Sequence, residues 1–72
     1  MKLSARNILK GKVKNIETGP ISSVVTLEIA TGVEITASIT TESARELELK
    51  KGRNAFAIIK ASNVMIGVDE GL

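Results

Sequence analysis

The chain has 72 residues, a formal net charge of +2, and neither cysteine nor histidine. These counts exclude disulfides, metal sites built on thiolate or imidazole, and nucleophilic catalysis by a Ser–His or Cys–His pair. The length predicts one domain over residues 1–72, and the mildly basic charge suits a small anion or a protein partner equally well. No apolar run is long enough to span a bilayer and no signal segment is recognisable, so we expect a soluble cytoplasmic protein with no membrane partner.

Alternation of polar and apolar residues dominates the first forty residues and predicts β-strands. Gly19-Pro20 predicts a turn after the first strand, and Thr31-Gly32 predicts the tight turn of a hairpin between the second and third. The three predicted strands are Arg6–Glu17, Ile21–Ala30 and Val33–Thr40.

The alternation stops after Thr40, where the pattern becomes that of one short helix. Thr40 or Thr41 is a good N-cap, and Lys50-Lys51-Gly52 is typical of a helix end. Ser43 with Glu46 also fits a capping box, so the start is uncertain by two or three residues. Two further strands are predicted after the helix, Asn54–Lys60 and Asn63–Val68. Five short strands with a helix between the third and fourth predict an all-β fold, a small OB-like barrel.

The core of such a small domain is expected to be thin. A chain of this length buries only about 60% of its unfolded surface, and Phe56, inside an apolar strand, is the single aromatic residue. Because disulfides and structural metals are also missing, association of several chains is one of the few ways left to bury more apolar area. We therefore expect an oligomer.

Two charged groups have ordinary structural explanations. Lys10, Lys12 and Lys14 form a stripe on the first strand, which is better explained as a solvated strand face than as a nucleic-acid site, since the aromatic stacking platforms of single-strand binders are missing. The carboxylates on or near the helix are expected to favour its N-terminus and keep its face wet, and no catalytic partner is in view. They are Glu42, Glu46 and Glu48.

Hydrogen-bond donors cluster without acceptors at three places: Ser4-Ala5-Arg6-Asn7, Lys60-Ala61-Ser62, and Thr40 at the predicted helix start. Each alone is more often a solvated or capping residue. Together they suit a fully deprotonated tetrahedral oxyanion, which offers only acceptors. Phosphate near neutral pH still carries a proton, and an all-donor site would leave that proton unpaired at a cost of about 1–3 kcal/mol.

Three stretches resemble the molbindins, the small molybdate-binding (Mop) proteins: SARNILKGKV, ITASITTESARELELKKG and AIIKASNVMIGV, in that order. The similarity covers nearly the whole chain, which has the length of a single Mop domain. The resemblance implies a five-stranded OB-like domain that assembles as a homo-hexamer, a trimer of dimers. It also implies that molybdate or tungstate is stored between subunits and that no catalytic cofactor is present.

The resemblance further implies two kinds of site. In the main site, the SARN arm of one chain meets the lysine turn of another and Thr40 donates from the helix start. Many family members have a serine after the lysine where this chain has Ala61, so only a backbone N–H could serve there, unless Ser62 compensates. The implied main-site residues are Ser4, Ala5, Arg6, Asn7, Thr40, Lys60, Ala61 and Ser62. A second site near a threefold axis would use Gly19, Ile21, Ser22 and Ser23.

Alternative functions remain open at this point. A free-standing regulatory or sensor module of a molybdate transport system would bind the same anion but act through a protein partner. A single-strand-binding OB module is disfavoured by the missing aromatics. The donor set cannot separate molybdate from tungstate, since both are tetrahedral dianions of similar size, and it does not give the number of sites.

Overall fold

One antiparallel sheet in the order β3-β2-β1-β4 organises the computed structural model, which describes residues 1–71. The strands are β1 (Asn7–Thr18), β2 (Ser22–Ala30), β3 (Val33–Thr40) and β4 (Asn54–Ile59); the helix is α1 (Thr41–Glu46), and a 3-10 turn spans Ala61–Asn63. The prediction of a mostly β chain with one short helix between the third and fourth strands is confirmed. The bounds of the first four predicted strands are right to within one residue.

A bulge in β1 keeps its apolar residues on the inner face. Val13 pairs with Leu27 and Asn15 with Thr26, so Lys14 is the extra residue. Without it, Ile16 would point outward, because residues an odd number apart lie on opposite faces of a regular strand. The core that results is small, as expected, and its buried cluster consists of Val13, Val25, Leu27 and Ala57.

The β2–β3 hairpin and α1 follow the sequence pattern closely. Gly32 occupies the hairpin turn with a positive φ of 77°, a conformation that glycine adopts without steric cost. Thr40 is the N-cap of α1, and its side chain accepts a hydrogen bond from the Ser43 N–H. Since this bond fixes the helix start at Thr41, the alternative capping box on Ser43 and Glu46 is not used.

The predicted fifth strand, Asn63–Val68, is wrong for the single chain. After the 3-10 turn, the segment runs without joining the sheet, and Met65, Ile66 and Val68 are 92%, 88% and 88% exposed. An alternating pattern predicts an extended segment but does not provide the strand edge that must pair with it. We call residues 64–68 the apolar tail.

The sheet is therefore open between β3 and β4, and the four described strands form a half-barrel. An apolar groove of about 790 Å³ lies in the gap. Its walls include Ile35 and Ile39 from β3 and Ala55 and Ala57 from β4. Phe56 and Ile58 are about half exposed, and both also line the groove without joining the buried core cluster.

Candidate functional site

The arm and the lysine turn meet at one end of the sheet, within a single chain. Asn7 at the start of β1 pairs with Ile59 at the end of β4, and the Asn7 side-chain amide donates to the Ile59 carbonyl at 3.2 Å. Arg6 and Lys60 are the next residues outward on these two antiparallel strands. The structure thus places Arg6 and Lys60 at the same end of the sheet. We call the seven predicted residues in the two segments that meet there the arm cluster: Ser4, Ala5, Arg6, Asn7, Lys60, Ala61 and Ser62.

The arm cluster carries unpaired positive charge. Arg6 and Lys60 are both exposed, and neither forms an ion pair with a carboxylate in the part of the chain that the structure describes. Over residues 1–71, the side-chain ion pairs are those of Lys14, with Glu28 at 3.7 Å and with Glu34. A guanidinium and an ammonium without a carboxylate nearby form a donor-only surface, which suits an anion.

Thr40 lies at the opposite end of the sheet. It pairs with Ser22, and Thr18 at the end of β1 pairs with Ser23. The 12 residues of β1 separate this end from Arg6 by roughly 35–40 Å of strand. Thr40 therefore groups in space with the second predicted site rather than with the arm. We call this group the turn cluster: Gly19, Ile21, Ser22, Ser23 and Thr40.

The hydroxyl of Thr40 is already engaged. Its Oγ1 donates to the Ser43 Oγ at 2.7 Å and accepts from the Ser43 N–H at 3.0 Å. A hydroxyl has one proton, so the free O–H donor at the start of α1 is that of Ser43. Sequence reasoning considered Ser43 only as a cap. The Thr-x-x-Ser spacing could have indicated that the two side chains share one turn.

The hydroxyl of Ser23 is also committed. Ser23 is 0% exposed and its Oγ lies 2.8 Å from the Oγ1 of Thr41, which itself is 7% exposed. Thr41 Oγ1 donates its only proton to the Gly19 carbonyl at 2.7 Å. Ser23 must therefore be the donor to Thr41, and its O–H is not free for a ligand. The sequence analysis missed Thr41 because it treated that residue only as a possible cap.

Neither cluster is a metal centre of the usual kind. Among residues 1–71, no group of three or more acidic side chains is placed to hold a metal ion. No helix in this described part of the chain is long and apolar enough to cross a bilayer. The chemistry available at both ends is donation of hydrogen bonds, supplemented at the arm cluster by two positive charges.

Comparison with known proteins agrees with this description. The model of the TOBE domain matches residues 3–66. This chain belongs to the TOBE domain family. A probable molybdenum-pterin-binding protein of Haemophilus influenzae is 45% identical over 69 residues, which cover 96% of this chain and 100% of the relative.

Solved structures of related proteins have the same fold. MopII from Clostridium pasteurianum is 43% identical with a TM-score of 0.86, over 93% of this chain and 100% of that one. The cytoplasmic molybdate-binding protein ModG, solved with molybdate bound, is 55% identical with a TM-score of 0.91, over 96% of this chain and 49% of that one. The resemblance to the Mop proteins found in the sequence is confirmed, and the half-barrel is that of the OB-like Mop structures.

Proposed function

We propose that this TOBE-domain chain binds and stores molybdate or tungstate at sites shared between subunits, in the cytoplasm and without catalysis. The single observation that carries the proposal is the arm cluster, where Arg6 and Lys60 adjoin the paired residues Asn7 and Ile59 and form no ion pair with a carboxylate of residues 1–71. The names of the relatives, a probable molybdenum-pterin-binding protein and a cytoplasmic molybdate-binding protein, support both the ligand and the compartment.

The donor types support an unprotonated oxyanion. The guanidinium of Arg6 has a planar fork of N–H groups, Lys60 adds a point charge, and the Ser4 and Ser62 hydroxyls are exposed and can rotate to donate. Among these side chains, only the two serine hydroxyls could accept a hydrogen bond from a protonated anion, so an unprotonated anion is the better match. The same set would discriminate poorly between molybdate and tungstate, which present the same four oxygens.

The separation of the two clusters supports a site built from more than one chain. Thr40 and the arm cluster lie at opposite ends of β1. A tetrahedral anion is only a few ångströms across, so one ion can contact both only if they come from different subunits. Within one chain, Asn7 and Ile59 already pair. This supports a main site in which both predicted walls come from the same subunit and Thr40 comes from its neighbour.

Surface area supports self-association. The chain exposes 5964 Å², whereas a folded monomer of 7.6 kDa exposes roughly 4,300 Å². The surplus includes the apolar tail, the open groove, and an outer patch of Ile8, Phe56 and Ile58. Two unpaired strand edges and an unpaired apolar tail are complementary, so the tail of one copy can complete the half-barrel of another.

We further propose that the assembly is a homo-hexamer, a trimer of dimers, with the single Mop domain of residues 1–72 as its unit. The turn cluster would then converge on a threefold axis. Donors there are backbone N–H groups and the exposed Ser22 hydroxyl, since the Ser23 hydroxyl is committed to Thr41 and Pro20 has no N–H.

Calorimetric titration of the purified protein with molybdate, together with its native mass, tests the proposal. We expect tight binding by an oligomer. Replacing Arg6→Ala or Lys60→Ala is expected to weaken binding at the main site by about 100-fold, because each removes a charge-assisted contact worth about 1.5–3 kcal/mol and leaves anion oxygens unpaired.

Lys51→Ala is the matched control, since Lys51 is equally exposed but lies in the turn before β4, far from Lys60. It removes the same charge and should leave the affinity within about twofold, as for any distant screened charge. Unchanged binding in both arm variants, or equal loss in the Lys51 variant, would contradict the proposed site. A monomeric mass would contradict the shared-site part alone.

A further inference from the structure

Thr41 makes more contacts with the β1–β2 turn than a first helical residue needs. Its N–H donates to the Ile21 carbonyl at 2.8 Å and its Oγ1 donates to the Gly19 carbonyl at 2.7 Å. Ser23, fully buried, donates to the same Oγ1. One residue of α1 thus binds the turn at three points. None of these bonds is required for the helix, whose cap is Thr40.

The direction of these bonds determines which backbone groups the turn presents to solvent. In a planar trans peptide, C=O and N–H point in opposite directions. Because Thr41 holds the Ile21 carbonyl, the Ser22 N–H of the same peptide faces away from the helix. The Gly19 carbonyl is turned inward by the Thr41 hydroxyl, and the Ser22 carbonyl accepts from the Gly19 N–H at 3.0 Å. All three of these carbonyls are occupied.

We propose that Thr41 is a positioning residue that makes the turn cluster selective for oxyanions by holding its acceptor groups inward. This inference rests on the proposed function, because it assigns a role within the second of the two sites. Thr41 itself touches no ligand. Its hydroxyl removes the one carbonyl, that of Gly19, which would otherwise be free to turn outward and repel an anion.

The test is calorimetric titration with molybdate of the full chain, in its native assembly, as wild type, Thr41→Val and Thr41→Ser. Valine has the shape of threonine without the hydroxyl, and serine keeps the hydroxyl. We expect two classes of site in the wild type. Thr41→Val should weaken molybdate binding at the turn-cluster sites (the turn class) by at least about tenfold and leave binding at the arm-cluster sites (the arm class) within about twofold. Thr41→Ser should keep both affinities.

The two-class readout separates positioning from stability. A merely structural role would lower the melting temperature and weaken both classes together, and that result would overturn the inference. The inference would also be overturned if Thr41→Ser were as impaired as Thr41→Val, or if the wild type had a single class of site and Arg6→Ala abolished it. In this last case the proposed function would survive. A wild type that binds no molybdate at all would refute the proposed function, and the inference with it.

Discussion

The two ends of the sheet use opposite means to present donors. The arm cluster is charged but has few internal hydrogen bonds. Arg6 and Lys60 are exposed, and among residues 1–71 the side-chain hydrogen bond at this end is that from Asn7 to the Ile59 carbonyl. The turn cluster has no charged member, but its hydroxyls and carbonyls are joined in a partly buried network through Thr41. Charge gives long-range attraction, and a fixed network gives directional selection.

This difference indicates how each end depends on assembly. An exposed guanidinium and ammonium lose little side-chain entropy until a ligand and a neighbouring subunit hold them in place. The turn network is ordered within one chain and needs no partner for its geometry. Glu42, in the first turn of α1, adds a negative charge beside the turn cluster. We therefore expect the arm end to provide most of the affinity and the turn end to provide weaker, more geometric selection.

Mixing subunits should give the largest effect. Arg6→Ala removes the arm's contribution to the main site, and Thr40→Val removes the hydroxyl that positions Ser43 at the start of α1. The main sites of each variant alone should therefore be empty at a molybdate concentration that half-fills those of the wild type. When the two are unfolded, mixed in equal amounts and refolded, about a quarter of the main sites should regain both intact ends if each site joins two different chains. Equilibrium dialysis measures the recovered stoichiometry.

The control for mixing is each variant refolded with itself, which should remain empty. Recovery of no sites in the mixture, with a normal native mass, would mean that both ends of a site come from the same chain, contrary to the geometry of β1. Recovery well above a quarter would mean that one of the two substitutions does not impair its end.

Gly19→Ala should disrupt the turn end alone. A Cβ on Gly19 would lie 2.6 Å from the Ser22 carbonyl oxygen, closer than real contacts allow, so the Gly19–Ser22 hydrogen bond must break or shift. We expect a loss of about 1–3 kcal/mol in the free energy of unfolding, measured by urea denaturation. Lys51→Ala, at an exposed position in the turn before β4, is the control and should change stability by less than about 0.5 kcal/mol.

The binding data for Gly19→Ala make the comparison sharper. Arm-class affinity should persist in folded protein, because Thr40 is the residue that this end contributes to the main site, and its side chain is held by Ser43 rather than by Gly19. If the molybdate affinity of both classes of site fell together, the two ends of the sheet would not act independently.

The sequence allowed prediction of the features that depend on neighbouring residues. Strand bounds follow from alternation, the hairpin turn from Thr31-Gly32, and the helix start from Thr40 as a cap. Each is decided within a few residues by local chemistry. The donor residues of the arm and turn clusters were also identifiable, because each lies at the end of an element, where alternation stops.

Features that depend on register could not be predicted in the same way. The separation of Thr40 from Arg6 within one chain follows only from the pairing of Asn7 with Ile59 and of Ser22 with Thr40. The bulge at Lys14 leaves no clear mark on the sequence. The predicted fifth strand failed for a similar reason, because the alternation in residues 63–68 does not say which strand edge, or which copy of the chain, will pair with it.

Lys14→Gln should have the smallest effect of these substitutions, because Lys14 belongs to neither end of the sheet. Lys14 lies on the outer face between the two ends and is already paired with Glu34 and Glu28. The hydrogen bond to Glu34 and the charges of Glu34 and Glu28 raise the pKa of Lys14 above the usual lysine value of about 10.5. A raised pKa in the folded state stabilises the fold below that usual value, and the contribution disappears as the pH rises through the folded pKa. We expect a slightly lower melting temperature for Lys14→Gln at pH 7, a difference that disappears once the pH has risen through the folded pKa and that shrinks in 1 M salt, and unchanged molybdate affinity. If Lys14→Gln weakened binding as much as Arg6→Ala, the overall charge of the protein would account for the anion affinity. The lack of ion pairs at Arg6 and Lys60 would then not explain it.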